Sequence, residues 1–162
     1  MLLPGDAPSS DDIAAVTTLI GRVPQGEFRI VVRSPAGTPV VLLNAPLLAD
    51  GTPMPTLYWL VGEKEVHAVS QLEADGAVDQ VEELIGLERI DAIHQRYMAT
   101  RDSLIPASHT GHRPSGGVGG TRRGVKCLHA HFAHWLAGND DAVGEWVAQQ
   151  LDERGQQRAA RL

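Results

Sequence analysis

The sequence carries a single cysteine, Cys127, among 162 residues, which excludes an intramolecular disulfide framework. Aromatic residues are scarce at 4%, so Leu, Val, Ile and Ala must fill the core, and few rings are available for stacking on nucleic-acid bases. No stretch approaches the ~18 consecutive apolar residues of a membrane span. The opening residues, MLLPGDAPSSDD, hold neither a charged leader nor a long apolar run. These absences predict a cytoplasmic protein with no membrane partner. Basic excess is missing too: 14 Lys and Arg against 20 Asp and Glu leave a net charge of -6, which argues against general nucleic-acid coating as a function class.

What is present is a 43% hydrophobic chain of ordinary single-domain length, expected to form one domain over 1–162 with residues 1–9 and 155–162 loose. Ser10, Asp11 and Asp12 precede Ile13, Val16, Leu19 and Ile20 at helical spacing, and Gly21 follows. From Phe28 the pattern turns to β-branched runs, FRIVVRS and PVVLLN, separated by Pro35-Ala36-Gly37-Thr38-Pro39. A third run, TLYWLV, follows the turn-rich Asp50-Gly51-Thr52-Pro53-Met54-Pro55. Helical periodicity then covers 64–75, 78–85, 88–104, 125–137 and 142–153. The fold class is α+β: a small antiparallel sheet of about three strands followed by four or five helices.

The charge is unevenly spread. Residues 103–139 contain no Asp or Glu, yet hold Arg113, Arg122, Arg123 and Lys126 and five of the seven histidines. Within this segment, 105–124 is an aperiodic stretch with six glycines, long enough to be read as a functional loop. Ser115, Gly116, Gly117, Thr121, Arg122, Arg123 and Lys126 place a glycine-rich turn just before a helix start. Converging backbone N–H groups and a helix N-terminus there can cradle an anion. The spacing is not that of a Walker A loop, because Val125 intervenes before Lys126 and Cys127 stands where Ser or Thr would follow.

Drawn at 100° per residue, a helix over 125–137 puts Leu128, Phe132, Trp135 and Leu136 on one stripe and Cys127, His131 and His134 on the next. His129 falls about 160° from Cys127 on that wheel, bordering the core and reaching a backbone carbonyl or the loop, while His134 faces the ligand. No resident metal or cofactor is expected; a zinc alternative would use Cys127, His131 and His134. In the preceding helix His94, Tyr97 and Arg101 share a face that can bind an oxyanion.

Several segments together resemble a bacterial domain-of-unknown-function family, number 501. They are Asp50 through Tyr58, His94 with Tyr97, Arg101 and Asp102, Ser115-Gly116-Gly117, and Val125-Lys126-Cys127-Leu128-His129 with Ala133-His134. The resemblance implies a single-domain cytoplasmic protein, often encoded beside an exopolyphosphatase-type protein and a septum-formation protein; it implies no activity. The family hairpin often reads Arg-Cys-Pro-Cys-Gly where this chain has Arg33-Ser34-Pro35-Ala36-Gly37, and a further family cysteine falls at Gly62.

The expectation is a protein binding a phosphate-bearing small molecule, with Arg101, Ser115, Gly116, Gly117, Thr121, Arg122, Arg123, Lys126 and Tyr97 as ligand-binding residues. Were it a phosphoester or phosphoanhydride hydrolase, His129, His134 and His94 would be the acid–base candidates. The alternative is a noncatalytic interaction protein docking its basic loop on an acidic surface, such as a cell-division partner. Binding of RNA ranks last of these.

Overall fold

The structure, a computed structural model, describes residues 2–162. Its first helix, α1 (Ser10–Ile20), starts one residue earlier than the sequence suggests. Ser9 is the N-cap, and Ser9 and Asp12 satisfy each other's backbone N–H groups in a capping box, with Gly21 left-handed at the C-terminus. Asp12 also takes Arg33 Nη1 at 2.8 Å, tying α1 to the sheet.

The sheet has strand order β1 (Phe28–Arg33), β2 (Pro39–Asn44), β3 (Tyr58–Leu60), all antiparallel, with Phe28 opposite Asn44 and Leu42 opposite Trp59. β2 is buried throughout because the sheet is covered on both faces. Leu42 joins Val16, Phe28, Ile30 and Val61 beneath α1, whereas Val41 and Leu43 face the main core under the other helices.

Those helices are α2 (Glu63–Ala74), α3 (Ala77–Ile85), α4 (Leu87–Ser103), α5 (Leu128–Leu136) and α6 (Ala142–Glu153). Gly76 and Gly86, both at positive φ, allow the tight joints between α2, α3 and α4. α5 lies against β3, α2 and α6. Its contact with α6 is close enough that a Cβ on Gly144 would collide with the His131 carbonyl and the Trp135 side chain.

α5 begins at Leu128 rather than Val125, because Cys127 is an extended N-cap residue (φ -149°). Residues near the N-terminus are docked: Leu3 is buried, and Asp6 exchanges backbone hydrogen bonds with Ile30; Met1 lies outside the described residues. The C-terminal tail is docked as well. Ala159 is buried with its N–H on Glu65 Oε1 at 2.9 Å, Leu162 N–H reaches the Leu136 carbonyl, and Arg158 and Arg161 lie over the Trp135 ring. Among the described residues no helix is long and apolar enough to cross a membrane.

Candidate functional site

α4 turns Ile90, Ile93, His94, Tyr97 and Arg101 inward. The later part of this stripe is polar because a loop, not another helix, covers it. Irregular backbone brings carbonyl and N–H groups that must find partners once buried. Arg101, 1% exposed, supplies three of them: Nη1 donates to the carbonyls of Gly116 (2.7 Å) and Pro55 (3.3 Å), and Nη2 to that of Pro114 (3.3 Å). Its Nε donates to Asp102 at 2.9 Å. His94 bonds the loop with both ring nitrogens: Nδ1 accepts from Val118 N–H at 3.0 Å and Nε2 donates to the Gly124 carbonyl at 2.7 Å. That pattern needs a neutral ring, and burial lowers the His94 pKa accordingly.

Tyr97 serves the sheet side. Its hydroxyl accepts from the Leu57 N–H, and burial pushes its pKa up to about 12. The glycine-rich loop therefore spends much of its own hydrogen-bonding capacity internally. Gly117 N–H goes to the Thr121 carbonyl, Gly120 N–H to that of Gly117, and the Thr121 hydroxyl to that of Arg123. Gly117 packs so tightly that a Cβ would strike the His94 ring, which explains glycine at this position.

A cleft of about 390 Å³ remains between α4 and this loop, and His94, Arg101, Asp102, Ser115, Gly116 and Arg122 are among the residues lining it. Arg123 and Lys126 are exposed elsewhere and do not line it. Among the described residues none of Arg113, Arg122, Arg123 and Lys126 forms an ion pair.

The start of α5 already has a carboxylate. Glu73, from the last turn of α2, accepts Leu128 N–H at 2.9 Å through Oε1, and His129 Nδ1 lies 3.1 Å from the same oxygen. Cys127 Sγ is 3.6 Å from His129 Nδ1, and His129 Nε2 is 3.0 Å from Ser70 Oγ and 3.2 Å from the Val66 carbonyl. His129 thus reaches a backbone carbonyl, as the helical wheel suggests, but it also meets Cys127. The expected separation of about 160° fails because the extended N-cap residue does not follow helical rotation. Burial opposes ionisation of Cys127, but His129 and the Ala130 N–H outweigh it, so the thiol pKa is lowered. Burial likewise opposes protonation of His129, and Cys127, Glu73 and the Val66 carbonyl raise its pKa in spite of it.

His134 does not face a ligand cleft. It is 3% exposed, packed between Tyr58 and Tyr97, with Nδ1 2.9 Å from Asp141 Oδ2. His131 places Nδ1 2.9 Å from the same oxygen, and its buried Nε2 has no hydrogen-bond partner among the described residues. Asp141 also caps α6 through Gly144 N–H at 3.0 Å. Burial alone would raise the Asp141 pKa, yet the two histidines hold it well below the usual carboxylate range. Cys127, His131 and His134 consequently do not form one ligand set: the two histidines turn to Asp141, and the thiol turns to His129.

Residues 30–149 match the family model described as a protein of unknown function (DUF501). The chain belongs to the DUF501 family. Neither the curated proteins nor the solved structures contain a match to it. In this DUF501 member, Ser34, Ala36 and Gly62, the positions at which the family resemblance implies cysteines, all line one cavity of about 880 Å³. A side chain at Gly62 would collide there with the buried Glu65 carboxylate. Two residues central to the observed geometry, Glu73 and Asp141, escape a sequence reading of the site. Asp141 signals only a helix cap, and nothing local marks Glu73 as the partner of a helix 55 residues later.

Proposed function

We propose that this DUF501 protein binds a phosphate-bearing small molecule in the cleft between α4 and the glycine-rich loop. The carrying observation is that the four cations of the carboxylate-free segment have no acidic partner among the described residues, and one of them, Arg122, lines the cleft beside Ser115 and Gly116. Asp102 offsets the charge of Arg101, so Arg122 supplies the net positive charge. Arg101 and His94 act as positioning residues, since their donors are committed to loop carbonyls. A cytoplasmic location suits such a ligand, and the gene neighbourhood implied by the family resemblance agrees by association.

The cleft supports binding without turnover. Neither His129 nor His134 borders the cleft, and both nitrogens of His94 are engaged. Thermal shift with phosphate, pyrophosphate and a nucleoside diphosphate tests it, because a ligand specific to the folded state raises its melting temperature. A shift abolished in Arg122→Ala is expected. No shift across this panel, or an equal shift in Arg122→Ala, overturns the reading. The exposed Arg113, Arg123 and Lys126 favour a second reading, docking on an acidic protein surface; Arg123→Ala/Lys126→Ala would then lose partner binding while keeping any phosphate shift.

A further inference from the structure

Glu73, Cys127 and His129 bring three different donor types together from two elements, with one ligand atom from each lying within 4.8 Å of the others. Around a tetrahedral zinc ion, with metal–sulfur about 2.3 Å and metal–nitrogen and metal–oxygen each about 2.0–2.1 Å, the sulfur–nitrogen edge is about 3.6 Å and the nitrogen–oxygen edge about 3.3 Å. The measured Cys127 Sγ to His129 Nδ1 distance is 3.6 Å, and His129 Nδ1 to Glu73 Oε1 is 3.1 Å. Both edges are therefore already close to their metal-bound lengths.

The surroundings agree. Ligating imidazoles commonly donate their second ring N–H to a carbonyl, which fixes the ring and leaves the other nitrogen free to coordinate. His129 Nε2 faces the Val66 carbonyl and the Ser70 hydroxyl, so Nδ1 is the nitrogen directed at Cys127 and Glu73. Glu73 is held by the Leu128 N–H. The His129 and Glu73 side chains are 22% and 31% exposed, enough for an ion to enter. A thiolate, an imidazole and a carboxylate suit a borderline-soft ion such as zinc and not magnesium or calcium, which take oxygen donors.

We propose that Glu73, Cys127 and His129 form a zinc site with its fourth position open to water or a ligand. On binding, Cys127 releases its proton to solvent and coordinates as thiolate, and His129 coordinates as neutral imidazole through Nδ1. The two anionic ligands then balance the 2+ charge of the ion. This site is separate from the proposed phosphate cleft, whose lining residues include none of the three.

The test is titration of the full chain, stripped with a chelator, with Co²⁺ as a spectroscopic stand-in and with Zn²⁺. The expected result is one ion per chain, a thiolate-to-cobalt charge-transfer band, and at least tenfold slower alkylation of Cys127 when zinc is bound. Cys127→Ser, which preserves side-chain shape, should lose the band, and Glu73→Gln should weaken affinity by about tenfold or more. The alkylation measurement uses the parent chain, so the proposal stays testable if a variant fails to fold. No cobalt band, an alkylation rate unaffected by zinc, or stoichiometric binding that survives Cys127→Ser would each overturn it. The last result would assign the ion to surface histidines, and the first two would leave only a hydrogen-bonded Cys–His–Glu cluster.

Discussion

Arg101 Nη1 donates to the Gly116 carbonyl at 2.7 Å, and this buried bond joins α4 to the glycine-rich loop. The guanidinium's fork reaches two further carbonyls, at Pro55 and Pro114, so one side chain sets the position of two chain segments against the helix. Lysine could carry the charge but not that planar arrangement of donors.

Arg101→Met should destabilise the fold by about 3–5 kcal/mol, as expected when one partner of a buried charged network is removed. Arg101→Lys should recover only part of the loss. Urea denaturation measures both, and amide exchange should show Gly117 and Val118 losing protection first. A cost below about 1 kcal/mol for Arg101→Met would contradict the clamp.

Asp141 is depressed below its ordinary pKa by His131 and His134 despite its burial. Its stabilising contribution is thus full above the unfolded value of about 3.9 and is lost as pH falls below that towards the lower folded value. Asp141→Asn should cost about 3 kcal/mol at neutral pH and flatten the acid limb of the stability profile. Denaturant midpoints from pH 6 down to the acid transition check this, and an unchanged acid limb in the variant would refute it.

Burial lowers the His94 pKa, opposed by the Gly124 carbonyl; of the charged groups nearby, His131 lowers it further while Asp91 and Asp141 raise it. The unfolded chain binds the proton more readily, so His94 contributes fully above about pH 6.5, and this contribution is lost as pH falls from there towards the folded value. His94→Gln should be less stable at pH 8 yet show a shallower loss between pH 7 and 5. Parallel slopes for parent and variant would mean that His94 does not titrate in this way.

Deleting residues 158–162 should destabilise the protein by roughly 1–3 kcal/mol, because the buried Glu65 carboxylate loses the Ala159 N–H. The deletion also uncovers Trp135, over which two guanidinium groups lie. Chemical denaturation of the shortened chain measures the cost, and a loss under about 0.5 kcal/mol would show the tail to be dispensable.

Much of the fold is legible from short-range pattern. The β-branched runs around Pro35-Ala36-Gly37 make a hairpin, and the apolar spacing of Ile90, Ile93 and Tyr97 makes α4, because propensity and periodicity act over one or two turns of chain. The shared face of His94, Tyr97 and Arg101 is visible in the same way. Its burial is not, since a polar helical stripe ordinarily faces water. Only the loop folded over it, rich in carbonyls needing donors, makes the buried polar face favourable.

The histidines divide similarly. Spacing alone places His131 and His134 near one another on α5, but Asp141, which draws both inward, is supplied by the next helix. The sequence by itself determined the α+β elements, the carboxylate-free basic segment and which residues share a helix face, all consequences of local backbone geometry. The tertiary structure alone decided that Cys127 meets His129 and Glu73. That meeting depends on an extended N-cap, which breaks the helical phase, and on α2 delivering a carboxylate to a helix start whose N–H groups lack a local partner.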